Sequence, residues 1–368
     1  MRILFLVRSL GVGGAERQAV VLARGLARRG HVVTIACFYG GGGLEAELEG
    51  SRVRVVQLDK RNRWDFVRVI RSFVRLLDTE RPDVLHGYLL VQNVSCTLLS
   101  GWSHRARIVW GIRASDVKLE YEGFTVRVIF QLSRILSHFT DLIIANSRTG
   151  AASHIGIGYP RKKIVVVPNG IDTDRFKPDP MSGARVRAEW GVTLDVVLVG
   201  VVGRLDPIKG HDLFLRALSI LTLKHPEVRA VFVGGGTDER RATLRCLAQD
   251  LEIGPALIWA GNRHDMNSVY NALDIVCSPS TSEGFPNVLG EALACGVPCV
   301  ATDVGDSAFL LGSLGVVVPS GDDNALAGGL GTMITARSPE LGSLCRQRVV
   351  QHFSVDVLVT ATESLLRD

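Results

Sequence analysis

MRILFLVRSLGVGGAERQAVVLARGLARRGHVVTIAC, residues 1–37, holds three patterns in succession. Ile3–Val7 is a short, unbroken apolar run, as expected of a strand covered on both faces. Gly11–Gly14 is a glycine loop, and Ala15–Arg29 then carries apolar residues at helical spacing until Gly30 stops it. Val32–Cys37 is the next strand. Strand, turn, helix and strand in this order form a βαβ unit, whose crossover makes the two strands parallel.

The same rhythm continues outward. Residues 53–58, 83–86, 107–110 and 141–145 are further strand candidates separated by helix-length stretches. It restarts after residue 190, with strands at Val196–Val202, Ala230–Val233, Ala256–Trp259, Ile275–Cys277 and Val297–Ala301. Helical patterns at Asp212–Leu223, Arg240–Asp250, Met266–Asn271 and Leu289–Ala294 lie between them. The fold class expected is therefore α/β, with two Rossmann-like domains facing across a cleft. Between the halves runs VVVPNGIDTDRFKPDP, where Pro168, Asn169–Gly170, Pro178 and Pro180 predict turns and a junction between about residues 168 and 192. The division expected is 1–175, 176–350, and a C-terminal helix, 351–368, returning toward the first domain.

Bulk properties agree with two folded domains. The chain has 368 residues, 46% of them hydrophobic and 21% charged, and 39 glycines suit many tight turns and close backbone approaches. Seven scattered cysteines without a CxxC pair read as free, mostly buried thiols of a reducing compartment. The apolar start breaks at Arg8, too early for a secretory signal, and no run is long enough to span a bilayer. A cytoplasmic protein is expected, with contact to an inner membrane face left open. Residues 1–185 hold 28 Lys+Arg against 16 Asp+Glu, and the remainder 14 against 21. The basic first half implies an anionic partner.

Three features of the second half converge on one anionic ligand. GRLDPIKG, residues 203–210, follows a strand and offers Arg204 and Lys209, a planar fork and a mobile point charge suited to a diphosphate. A plain solvated βα loop would carry similar residues. SPSTSEGFPNVLGEALACGVPCVATD, residues 278–303, places Glu283 before a helix that Pro286–Asn287 introduces, and Glu291 within it. The free N–H groups at that helix start suit an anion, Gly284 would permit a sharp turn, and the carboxylates would accept from hydroxyl groups. The alternatives are a helix-end charge interaction for Glu283 and a surface position for Glu291. VGGG, Val233–Gly236, lets main chain including Gly235 pass near a nucleotide, or is a simple turn. Neither a GxGxxG fingerprint nor GxxxxGK[ST] occurs, which argues against a nicotinamide dehydrogenase and a P-loop NTPase. Residues 60–77, KRNRWDFVRVIRSFVRLL, predict a basic amphipathic helix. Its Phe66, Ile70, Phe73 and Leu77 stripe would lie on anionic lipid or cover the sheet.

Taken together, GVGGAER (11–17), VVPNGIDTDRF (166–176), GRLDPIKG (203–210) and SEGFPNVLGEALACGVPCVATDVG (282–305) make the chain resemble the retaining GT-B-fold glycosyltransferases of family 4 (group 1). The resemblance runs over nearly its whole length. It implies a metal-independent hexosyltransferase-type enzyme that needs no cofactor beyond its donor, a UDP-sugar. Arg204 and Lys209 would hold the diphosphate and Glu291 the ribose. Glu283, with the backbone of Gly284, Phe285, Pro286 and Asn287, would orient the sugar, Gly13 and Gly14 would close over it, and Arg263 would border the nucleobase. Arg113 stands where many members have a histidine, with Asp116 retained. His86 faces the acceptor or is an ordinary strand-end residue.

A glycan or polyprenyl-diphosphate-linked saccharide, as in polysaccharide, lipopolysaccharide or capsule biosynthesis, is the acceptor class the family suggests. An anionic membrane surface is a further partner, whereas nucleic acid has only charge in its favour. Two competing readings are a nucleotide-sugar epimerase of the same architecture and a non-catalytic nucleotide-sugar-binding protein.

Overall fold

The structure, a computed structural model, describes residues 1–11, 13–58, 65–102, 106–113 and 123–367. The chain divides into two compact units: residues 1–170 joined by the segment from Val355 onward, and Ile171–Ser354.

In the first unit the described strands are β1 (Arg2–Val7), β2 (Val32–Cys37), β3 (Val53–Gln57), β4 (Val84–Tyr88), β5 (Arg107–Ile112), β6 (Leu142–Ala145) and β7 (Ile164–Val166). They form one parallel sheet in the order β3-β2-β1-β4-β5-β6-β7. Alternate residues of β1 feed different cores. Ile3 and Phe5 pack with Leu22 and Leu26 of the helix Gly14–Arg28. Leu4 and Leu6 pack with Phe73 and Leu77 on the other side. Burial on both faces is why the strand reads as continuous rather than alternating.

The second unit contains β8 (Val197–Val202), β9 (Val228–Val233), β10 (Leu257–Gly261), β11 (Ile275–Ser278), β12 (Cys299–Thr302) and β13 (Val316–Val318). Its order is β10-β9-β8-β11-β12-β13, again parallel. Both sheets are doubly wound, reversing direction beside β1 in one and β8 in the other. Loops leaving the carboxyl ends on either side of such a reversal splay apart and leave room for a ligand.

Several expectations are corrected. The chain passes between units at Gly170/Ile171, inside the expected window of about 168–192 but ahead of residue 175, and Gln18 holds both backbone groups of Gly170, at 2.9 and 3.0 Å. Pro180 does not end regular structure. It opens the helix Pro180–Glu189, whose N-cap Asp179 accepts from Ser182 N at 3.1 Å, since the first turn of a helix has no use for the missing N–H. Residues 351–368 are not one helix: Pro339–His352 ends within the second unit, and Val355–Arg367 is a separate helix of the first. That last helix buries Leu358, Val359 and Leu366 and pairs Glu363 with Arg29 at 2.8 Å and His31 at 3.0 Å.

The basic helix is found at Phe66–Glu80, residues 60–64 and the Phe66 side chain lying outside the described part. Its predicted stripe splits. Phe73 and Leu77 are buried in the core, while Ile70 is 43% exposed. The sheet therefore claims most of that stripe. All seven cysteines are free, and all but Cys246 are buried.

Candidate active site

In the second unit two of the predicted residues, Lys209 and Glu283, meet at the topological reversal. β8 is followed by Gly203, whose φ of +152° turns the chain sharply into Arg204. Gly234 packs so closely here that a Cβ on it would lie 2.0 Å from the Gly203 oxygen. Asp206 then caps the short turn Pro207–Lys209, accepting from Ile208 N at 3.1 Å. Gly210 follows at φ +66°, and a Cβ on it would sit 1.9 Å from the Pro279 oxygen. Only glycine lets the loops after β8 and β11 approach this closely.

Across that contact Lys209 Nζ donates to Glu283 Oε1 at 2.6 Å, and Ser280 Oγ donates to the same oxygen at 2.7 Å. The loop carrying Glu283 is anchored from β12, where Thr302 Oγ1 donates to Ser280 O at 2.5 Å. The Lys209 side chain is 23% exposed and that of Glu283 11%. Each is thus held in place with one side still open. An ion pair of this kind, partly buried and hydrogen-bonded, fixes geometry more than it adds stability. One of three Lys209 donors serves Glu283, which leaves two for a ligand.

Arg204 differs. Its side chain is 79% exposed, with only a 3.8 Å approach to Asp206. It borders an open hollow of about 690 Å³ walled also by Gly235, Gly236, Asn262 and Arg240. Ligand sites fall in this range of volume. Of the glycines after β9, Gly236 is fixed by packing, since a Cβ there would meet Leu205 Cβ at 2.5 Å, whereas one at Gly235 would meet only the end of the Asn262 side chain, with Oδ1 at 2.7 Å.

Asn287–Ala294 is the helix that Pro286 introduces. Within it Glu291 Oε2 accepts from Tyr270 Oη at 2.7 Å. Tyr270 is fully buried, and burial followed by the Glu291 charge keeps its hydroxyl protonated far above the usual range. It is a fixed donor that orients the carboxylate. Phe285 is buried against Phe353, and its loop needs no left-handed residue at Gly284. The tight spot belongs to Gly305, at φ +57°, where a Cβ would lie 2.5 Å from the Gly284 oxygen. Arg263 is taken up by carboxylates: Asp265 accepts at 2.8 and 2.7 Å, and Glu189 binds both Nη atoms. A nucleobase beside it would meet a neutralised guanidinium.

In the first unit, Gly13 caps the helix Gly14–Arg28 in an extended conformation. Arg113 follows β5, donating to Tyr88 Oη at 2.7 Å and Asn169 Oδ1 at 3.3 Å, with its Cζ 4.3 Å from the Tyr88 ring centre. Asp116 lies outside the described residues. His86 is fully buried between Phe5 and Tyr88, with neither ring nitrogen hydrogen-bonded among the described residues. Burial, and then the Arg113 charge, hold it neutral. It is a core residue of β4 and not a group on the surface of a cleft.

Sequence reasoning missed Tyr270, Ser280, Tyr88 and Asn169, the side chains that hold the predicted ones. Ser280 and Asn169 lie inside stretches already quoted without being singled out for the site, whereas Tyr270 and Tyr88 lie in no quoted motif and are brought in by topology.

Residues 12–175 match the model for Glycosyltransferase Family 4, and residues 197–336 that for Glycosyl transferases group 1. The chain belongs to these glycosyltransferase families. A D-inositol 3-phosphate glycosyltransferase of Acidothermus cellulolyticus is 35% identical over 53% of this chain and 46% of its own length. The Mycobacteroides abscessus protein of the same name is 34% identical over 61% and 51%. The chain thus spans about half the length of the curated relatives it matches. HepE of Anabaena in complex with UDP is similar over 100% of both chains, with 25% identity and a TM-score of 0.87. A glycosyltransferase of Rickettsia africae, 20% identical, covers 100% of this chain and 98% of its own with a TM-score of 0.84. The two parallel-sheet, Rossmann-like units are those of the GT-B glycosyltransferases. Lys209 and Glu283 meet at one end of the second sheet, and Glu291 is held separately by Tyr270.

Proposed function

We propose that this chain transfers a sugar from a nucleotide-diphosphate sugar, a UDP-sugar, to a hydroxyl of a glycan or lipid-linked acceptor, with retention of configuration. The observation that carries the proposal is the Lys209–Glu283 bridge at the reversal between β8 and β11, with Arg204 on the Lys209 loop and Glu291, held by Tyr270, on the helix that follows Glu283. A cation beside a carboxylate suits a ligand that is anionic at one end and hydroxylated at the other. The UDP held by a similar protein supports the choice of nucleotide.

In the reaction, the bond from the anomeric carbon to the diphosphate oxygen breaks, and a bond from the acceptor oxygen forms on the same face. The acceptor proton passes to the departing phosphate. Arg204, Lys209 and the N–H groups opening Asn287–Ala294 stabilise the charge that gathers on the leaving group, with no metal ion required. Glu283 orients the sugar and Glu291 accepts from the ribose. Arg113, held by Tyr88 and Asn169, supplies a fixed positive charge where many relatives have a histidine.

Thermal-shift screening with UDP-, GDP- and ADP-sugars, followed by calorimetry, tests the donor. A UDP-sugar is expected to give the largest shift. Lys209→Ala and Arg204→Ala should each lower kcat on the order of a hundredfold, the scale of one lost transition-state donor. Glu291→Ala should chiefly weaken donor binding. Unchanged donor affinity and turnover in all three variants would remove the assignment.

A further inference from the structure

Among the described residues, nine of the 17 exposed large apolar side chains fall between Val67 and Phe139. Such crowding is uneven for a chain whose surface apolar residues would otherwise scatter singly. The helix Phe124–Leu136 concentrates it. Phe130 and Ser133 face the core, while Phe124 is 82% exposed, Val128 48% and Ile135 63%. These three lie four and seven residues apart, on one outward stripe. Phe139, just beyond the helix, is 69% exposed.

The stripe is also cationic. Arg127 and Arg134 are spaced along it, and the helix contains no acidic residue. At its end a hollow of about 510 Å³ opens among Arg134, Ile135, His138, Phe139 and Gly158, apolar and basic at once. The surface continues sideways. Leu90–Leu98 packs beside this helix and exposes Val91 and Leu98, and the turn Ser100–Trp102 links it to Phe66–Glu80. There Val67 and Ile70 stand outward next to Arg68 and Arg71.

We propose that this three-helix face, led by Phe124, Val128, Ile135 and Phe139 with Arg127 and Arg134, rests on an anionic lipid bilayer. Aromatic and aliphatic tips enter the headgroup boundary while arginines meet the lipid phosphates. A second copy of the chain is a poorer occupant, because a two-fold contact would set these arginines against their own counterparts with no acid on Phe124–Leu136 to pair them. The inference is independent of the donor chemistry.

Sedimentation of the full chain with vesicles of phosphatidylcholine alone, and of phosphatidylcholine mixed with phosphatidylglycerol, at two salt concentrations, tests it. Binding is expected on the anionic vesicles only, weakening as salt rises. Arg127→Glu with Arg134→Glu should reduce partitioning at least about tenfold, as expected for several basic contacts of moderate strength. Phe124→Ser with Phe139→Ser should reduce it comparably, and the exposed positions chosen leave the core intact. Leu194→Ser, at a 90% exposed site of the other unit, serves as the control and should bind normally. Equal binding to both vesicle types, binding retained in the variants, or a dimer in solution that these same variants dissociate would overturn the proposal.

Discussion

His211 begins the helix His211–Thr222, directly after the loop that carries Lys209, and neither of its ring nitrogens has a partner among the described residues. Burial lowers its pKa to about 4, with the charges of Arg240 and Lys209 acting in the same direction and those of Asp212 and Asp206 against it. The unfolded chain takes up this proton near pH 6.5, whereas the folded chain resists until about pH 4. Stability is therefore complete above pH 6.5 and is lost as pH falls toward 4, by roughly 3 kcal/mol for this one group. Urea unfolding at a series of pH values should show His211→Gln falling less steeply than the parent across that window. Parallel curves would refute the role given to burial here. Residues of this type explain what sequence can and cannot disclose. The placement of Glu283 before a helix and of Glu291 within it was legible because one contiguous stretch sets both. Tyr270, which fixes Glu291 at 2.7 Å, was not legible, because a tyrosine on a helical pattern reads as core until topology shows which carboxylate it meets.

Elements were legible where burial on both faces writes an unbroken apolar run, as in β1 and β8, and where glycine punctuates a helix end. The stripe of Phe66–Glu80 left lipid and sheet both open, because helical spacing identifies apolar faces without telling what covers them; Phe73 and Leu77 go to the core. Packing between helices was similarly invisible. Gly25 sits inside Gly14–Arg28, where propensity alone would prefer alanine by about 1 kcal/mol. A Cβ there would lie 2.2 Å from Val359 Cγ2 on the helix Val355–Arg367, and Val359 is buried. The clash should outweigh the propensity gain, since overpacking a filled core typically costs about 1–3 kcal/mol. Gly25→Ala is thus expected to destabilise the protein, and Val359→Ala to do so by leaving a gap. The double variant should lose less than the two changes added together, by about 1 kcal/mol or more, because each fills or vacates the same space. Additivity within about 0.4 kcal/mol, the scatter of independent sites, would show that the helices adjust without meeting at this glycine.

At the scale of the whole molecule, the chain leaves the first unit at Gly170 and returns to it at Val355, so that unit is built from two ends of the sequence. A C-terminal helix returning toward the first domain is the expectation from sequence, but local composition does not say where it packs, for the last helix has the same amphipathic pattern whichever sheet it covers. Its contacts decide the matter. Leu358, Val359 and Leu366 join the core beneath β1 and β2, and each fully buried side chain of this kind contributes roughly 1.5–3 kcal/mol. Glu363 is held down to about 2 by hydrogen bonds from Arg29 and then His31, and Arg107 donates to the Leu365 oxygen at 2.6 Å. Removing residues 355–368 would strip apolar cover from the first sheet and leave Arg29 and His31 without their carboxylate, while every strand from β8 to β13 keeps its partners. A loss of this size rivals the whole stability of a typical domain. Hydrogen exchange on a chain ending at Ser354 should accordingly show β1, β2 and β3 losing protection and β8, β11 and β12 retaining it. Protection unchanged in β1–β3 would mean that the first unit folds without its C-terminal segment; protection lost equally in both sheets would mean that the two units unfold as one.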